Sequence, residues 1–155
     1  MKTNAVRTLD AAKVAYDLAP YEVDEDDLSA ETVAAKIGWP VEKVFKTLAV
    51  RGDKTGVVLA VIATPQTLDL KALATASGNK RCELLPLAEV LPVTGYVRGG
   101  VSPIGTKKKF AVYLDESARA FEAISVSAGA RGLQLLISPV ALAAVTQASW
   151  ASVGR

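Results

Sequence analysis

The chain has 155 residues, half of them hydrophobic and 22% charged, with a formal net charge of +2, one cysteine and no histidine. That length buries about two-thirds of the unfolded surface around one core without disulfides or structural metal, so a single globular domain over residues 1–155 is expected. The small net charge excludes binding of nucleic acid by bulk electrostatics, and the missing histidine removes Ser-His-Asp, Cys-His and His-ligated zinc chemistry together.

In chain order, residues 3–18 place Ala5, Val6, Leu9, Ala12, Val14 and Leu18 at helical intervals, with Thr3 or Asn4 as N-cap. A short strand is expected at residues 21–23, after Pro20. Ser29 opens a second helix that Gly38 ends. Two β-rich runs separated by RGDKTG then predict a hairpin across residues 41–63. A helix follows, with Asp69 near its start and Gly78 as its stop; RCELL reads as a short strand and PLAEVL as a helical turn with proline at a favoured first position. KFAVYLDES, the run into ISVS, and GLQLLISP read as further strands, and Ser138 with Pro139 starts a final helix. This irregular order favours an α/β protein with a mixed sheet or barrel and peripheral helices over a regular doubly wound fold.

Cys82, alone in the chain, excludes intrachain disulfides and a CxxC site and is expected as a small core residue. No stretch reaches the roughly 18 apolar residues of a membrane span, and the N-terminal segment lacks the apolar run of a secretory signal. A soluble, cytoplasmic protein without membrane contact is the expectation. Charge is uneven along the chain: residues 22–27 carry five acids, while residues 95–109 carry four bases and no acid. A basic patch can therefore exist on a nearly neutral protein.

Three segments could carry chemistry. In VFKTLAV, the strand period of two sets Lys46 in a row with Val44, Leu48 and Val50, so this ammonium either reaches solvent along its stem or meets an anion. In GGVSPIG, Gly99, Gly100 and Gly105 could aim N–H groups at an oxygen, with Arg98, Lys107, Lys108 and Lys109 nearby. In SVSAGARG, Ser127, Gly129, Arg131 and Gly132 could form a second anion cradle or simply a hairpin connection. Neither glycine-rich segment matches a Walker A loop or a GxGxxG fingerprint.

The strings KTNAVRTLD, VFKTLAV, TGYVRGGVSPIG followed by KKK, and ISVSAGARGLQ stand in the order and spacing of the YbaK/EbsC family, which the chain resembles over nearly its whole length. Members of that family resemble the inserted editing domain of bacterial prolyl-tRNA synthetases, and one group acts as a freestanding Cys-tRNA(Pro) deacylase. The resemblance implies a mixed, largely antiparallel β-barrel-like sheet flanked by helices. It implies hydrolysis of a wrongly attached amino acid from the 3′ end of a tRNA, in trans, with neither cofactor nor metal.

The resemblance also assigns roles to positions. Lys46 and Gly100 match the catalytic positions and Tyr21 the site tyrosine; beside Tyr21, the residues Thr47, Gly99, Ser102, Ser127, Gly129 and Arg131 of the segments above complete the substrate-binding candidates. In the implied mechanism the thiol of the substrate attacks its own ester carbonyl, leaving a cyclic thiolactone, so no protein nucleophile is needed. Several relatives carry an aspartate after RGL, whereas Gln134 stands here and cannot act as a base. The expected partners are the aminoacyl-tRNA and prolyl-tRNA synthetase. The alternatives are editing of Ala-tRNA(Pro), or a non-catalytic module that binds an aminoacyl group or a nucleotide end.

Overall fold

The computed structural model describes residues 2–155. Helix α1 (Asn4–Ala11) starts at Thr3, whose side chain accepts the Val6 N–H, and buries Ala5, Val6 and Leu9. The helix expected to reach residue 18 stops early: Lys13 takes a φ of +57°, and β1 (Asp17–Pro20) pairs antiparallel with β7 (Leu133–Ile137). The ladder with β7 overrides the helical spacing of Val14 and Leu18. The strand expected at residues 21–23 lies at Asp17–Pro20 instead and includes the proline, which an edge strand tolerates.

Helix α2 (Ala30–Ile37) runs from its Ser29 cap to Gly38 at φ +73°. Strands β2 (Phe45–Gly52) and β3 (Gly56–Ala63) form the expected hairpin, with Phe45 opposite Ala63 and Gly52 opposite Gly56. Helix α3 (Leu70–Ser77) starts at the Asp69 cap and ends at Gly78, and β4 (Cys82–Leu84) pairs with the far end of β2. Helix α4 (Leu87–Thr94) is longer than one turn and carries Pro92 inside; Pro86 is its cap rather than its first residue. Then come β5 (Val112–Asp115), β6 (Ile124–Ala130), β7 and α5 (Pro139–Thr146), the last with the expected Ser138 cap. Strand β8 (Ser149–Ala151), which local sequence does not announce, pairs parallel with β5.

The strands make a three-stranded sheet, β1-β7-β6, and a five-stranded sheet, β4-β2-β3-β5-β8. Among the strand pairings within these two sheets, in the described residues, only those of β5 are parallel. The mixed, largely antiparallel arrangement is thus present as two open sheets rather than a closed barrel. A bridge between Val44 and Ser125 joins them just before β2.

Strands β2 and β3 are covered on both faces. Phe45, Ala49, Leu59 and Val61 enter the larger core with α1, β6 and α5, while Val50, Val58, Ala60 and Ile62 pack with Leu73 of α3. Double-sided burial explains the continuous apolar run in sequence and leaves Lys46 as the charge that interrupts it.

Candidate active site

Beside the first half of β2 opens a pocket of about 360 Å³, within the range usual for a small ligand. Leu28, Val33, Leu48, Leu85 and Val90 give it apolar walls, and Lys46, Thr47, Arg98, Ser127 and Gln134 supply its polar side chains. No aspartate or glutamate lines it.

Lys46 reaches the pocket from the centre of an apolar row: Val44 and Val50 are fully buried and Leu48 is half-buried. Its Nζ donates one long hydrogen bond, 3.4 Å, to the Thr64 carbonyl and makes no ion pair among the described residues. A half-buried ammonium with donors to spare and low-dielectric walls attracts an anion strongly. On the next residue the Thr47 Oγ1 is buried at the pocket without a hydrogen-bond partner.

The glycine-rich loop forms the facing rim through Arg98, Gly99 and Val101. Its three glycines are needed for two different reasons. Gly99 has a φ of +84° in the turn closed by the Gly100 N–H donating to Val97 O at 2.9 Å, a torsion that side chains rarely adopt. Gly100 presses on the main chain of Ala130 and Arg131, and Gly105 on that of Asn4 and Ala5, where a Cβ would stand 2.7 Å from Asn4 C. The N–H groups of Gly99 and Val101 donate to no acceptor among the described residues.

The β6–β7 hairpin closes the floor. Ser127 and Gln134 are cross-strand partners that both line the pocket; Gln134 is held by the Ser125 hydroxyl at 2.7 Å, and the Ser127 Oγ accepts the Gly129 N–H at 3.1 Å. Arg131 does not line the pocket; its Nε donates to Arg98 O at 2.8 Å, tying the hairpin to the loop. Tyr96 braces the same corner. Its hydroxyl donates to Ile104 O at 2.7 Å, with Gly105 O at 3.0 Å, and its ring occupies the space a Cβ on Gly129 would need. Burial pushes the Tyr96 phenol up to about 12, so it stays a donor.

Of the candidates named from sequence, the structure brings Lys46, Thr47, Gly99 and Ser127 to one pocket. Gly100, Ser102, Gly129 and Arg131 stand behind its rim. Ser102 is fully buried and accepts the Ile104 N–H. Tyr21 is half-buried beside Gly132, to whose carbonyl its N–H donates at 3.0 Å, and does not line the cavity. Arg98, expected only as charge beside the glycine loop, and Gln134, set apart as unable to act as a base, line the pocket as well. The signal for Gln134 was there, a lone polar residue in the apolar strand GLQLLI.

Cations in an apolar pocket with no carboxylate in the lining suit a small anionic or acyl-bearing ligand. Residues 24–145, which span the lining from Leu28 to Gln134, match the sequence profile of the aminoacyl-tRNA editing domain. The chain is 49% identical over 152 residues to EbsC of Enterococcus faecalis, named as a proposed Cys-tRNA(Pro)/Cys-tRNA(Cys) deacylase, across 98% of this chain and 93% of that one. To YwhH of Bacillus subtilis, a protein uncharacterized by name, it is 32% identical over 118 residues, 76% of this chain and 74% of the other. In fold it matches the crystal structure of a proposed trans-editing enzyme for prolyl-tRNA synthetase, with a TM-score of 0.84 at 23% identity over 100% of this chain and 99% of that one. The chain belongs to the aminoacyl-tRNA editing domain family.

Proposed function

We propose that the protein is an aminoacyl-tRNA deacylase acting in trans on Cys-tRNA(Pro). The observation that carries this reading is that Lys46 and the glycine loop, through Arg98, Gly99 and Val101, line one pocket that offers positive charge and main-chain donors but no carboxylate and no thiol. Cys82 is buried elsewhere, in the cluster under α3. No carboxylate or histidine in the lining stands ready to activate the Thr47 or Ser127 hydroxyl, so the nucleophile is assigned to the substrate or to water.

With cysteine as the acyl group, its thiol sulfur attacks the ester carbonyl. A carbon–sulfur bond forms, the carbon–oxygen bond to the terminal ribose breaks, and the thiol proton passes to the departing ribose oxygen. The products are a cyclic thiolactone and uncharged tRNA. Lys46 holds the terminal phosphate or ribose. The N–H groups of Gly99 and Val101 take the developing oxyanion, since the Gly100 N–H is held by Val97. Preorganised donors of this kind contribute about 3–4 kcal/mol each. Thr47, Ser127 and Gln134 orient the acyl end.

The small net charge makes the protein a weak binder of tRNA by itself, so we assign selection of tRNA(Pro) in part to association with prolyl-tRNA synthetase in the cytoplasm. Tight, selective binding of tRNA(Pro) by the isolated protein contradicts that assignment. Lys46→Ala is expected to lower cysteine release from Cys-tRNA(Pro) by about 10²–10³-fold while the circular dichroism spectrum is unchanged. Wild-type turnover in that variant rejects the reading. A panel of tRNA(Pro) charged with cysteine, alanine, serine and proline ranks the acyl groups, and release of none at any enzyme concentration favours a binding module.

A further inference from the structure

A second cavity, about 640 Å³, lies where the last turn of α4 meets the β2–β3 turn. Lys107, Lys108 and Lys109 line it, all three exposed, and no aspartate or glutamate does. Each ammonium has only a neutral neighbour. Lys107 Nζ donates to Pro92 O at 3.4 Å, Lys108 lies 5.6 Å from the centre of the Phe110 ring, and Lys109 donates to Gln147 Oε1. None makes an ion pair among the described residues. Three adjacent positive charges without a counter-charge repel one another and are relieved by an external polyanion.

The run is fixed in place. The Lys107 N–H donates to Thr94 O at 2.8 Å, and Gly95 packs against the Lys107 Cβ. Helix α4 also connects the groove to the pocket: Leu87 and Val90 line the pocket, Pro92 and Val93 the groove. From Leu87 to Val93 the helix rises about 9 Å. That is less than three nucleotides of a stacked strand, at about 3.4 Å each. Leu87 at the pocket and Leu91 one helical turn further along α4, 59% and 52% exposed, offer apolar surface to bases leaving the pocket. Phe110 is buried, so the groove has no aromatic face to stack a base and meets backbone rather than sequence.

We propose that this groove binds the phosphodiester backbone of the RNA whose acylated end occupies the pocket. The proposal rests on the deacylase reading and adds to it a sequence-independent RNA site. The test compares the full chain with its K107Q/K108Q/K109Q variant on two substrates, Cys-tRNA(Pro) and cysteinyl-adenosine. On Cys-tRNA(Pro) the variant should show KM raised about tenfold with kcat little changed. The slope of log kcat/KM against log salt should shrink by about 2, because each phosphate contact on a single strand carries about 0.7. On cysteinyl-adenosine, which has no backbone beyond the pocket, the variant should equal the wild type.

Unchanged KM and salt slope on Cys-tRNA(Pro) overturn the proposal. Failure of the deacylase reading looks different, since the wild type then cleaves neither substrate. Binding of fluorescently labelled uncharged tRNA at two salt concentrations still decides the groove in that case: weaker binding by the variant supports it, and equal binding overturns it. Equal tRNA binding with loss of association with prolyl-tRNA synthetase makes the run a protein surface and overturns it as well.

Discussion

Gly100 lies against the peptide joining Ala130 to Arg131, so that a Cβ on it would stand 3.0 Å from Ala130 C and 3.1 Å from Arg131 N. The obstructing atoms are main chain, held in a hairpin, and cannot swing aside as a side-chain tip does. Gly100→Ala is therefore expected to push the loop away from the hairpin, carrying Arg98, Gly99 and Val101 off the pocket rim. We expect a loss of about 1 kcal/mol, seen as a fall in Tm of about 2–4 °C, and a drop in kcat/KM of tenfold or more. Wild-type Tm and activity in this variant would show that the contact positions nothing.

Thr47 invites the opposite pattern. Its Oγ1 is buried with no partner, a state that costs stability until something supplies a hydrogen bond. Thr47→Val keeps the shape and removes the unsatisfied atom. Thermal stability should hold or rise by up to about 1 kcal/mol, while deacylation of Cys-tRNA(Pro) falls about tenfold. A variant that loses stability and keeps activity would make this hydroxyl structural.

These two residues also mark where sequence reading succeeds and stops. Signals within a few residues were legible: Thr3, Ser29, Asp69 and Ser138 cap the helices expected of them, and Gly38 and Gly78 end theirs. Strands β1 and β8 were not, because each is made by partners distant in the chain, at residues 133–136 and 113–115. The same limit applies at the site. The alternation in VFKTLAV isolates Lys46 without help from elsewhere, since both faces of one strand are written in seven residues. Glycine composition carries less. Gly100, Gly105 and Gly129 stand in the segments that looked like anion cradles, yet each is glycine because another part of the chain needs its space. A glycine that admits a ligand and one that admits a neighbouring strand look alike in sequence.

Asp115, at the end of β5, yields a prediction about pH. It is 3% exposed; Oδ1 accepts the N–H groups of Val153 at 3.0 Å and Gly154 at 2.8 Å, and Oδ2 accepts the Ser117 N–H at 3.1 Å and Gln66 Nε2 at 3.0 Å. Burial pushes the carboxyl upward, but the hydrogen bonds from Ser117, Gln66 and Gly154 favour the charged form and together hold it below the usual carboxylate range. A carboxyl depressed on folding stabilises the protein above its unfolded pKa of about 3.9, and that stabilisation is lost as pH falls through the lower folded value. The wild type should therefore lose Tm steeply below about pH 4. Asp115→Asn turns an amide NH₂ toward groups that themselves donate, and should cost about 1–3 kcal/mol at neutral pH. Its Tm should also depend less on pH in the acid range, because position 115 no longer titrates. Parallel Tm profiles for the two proteins between pH 5 and pH 2 would mean that Asp115 binds its proton equally in the folded and unfolded chains, and that the clasp on Val153 and Gly154 owes nothing to charge.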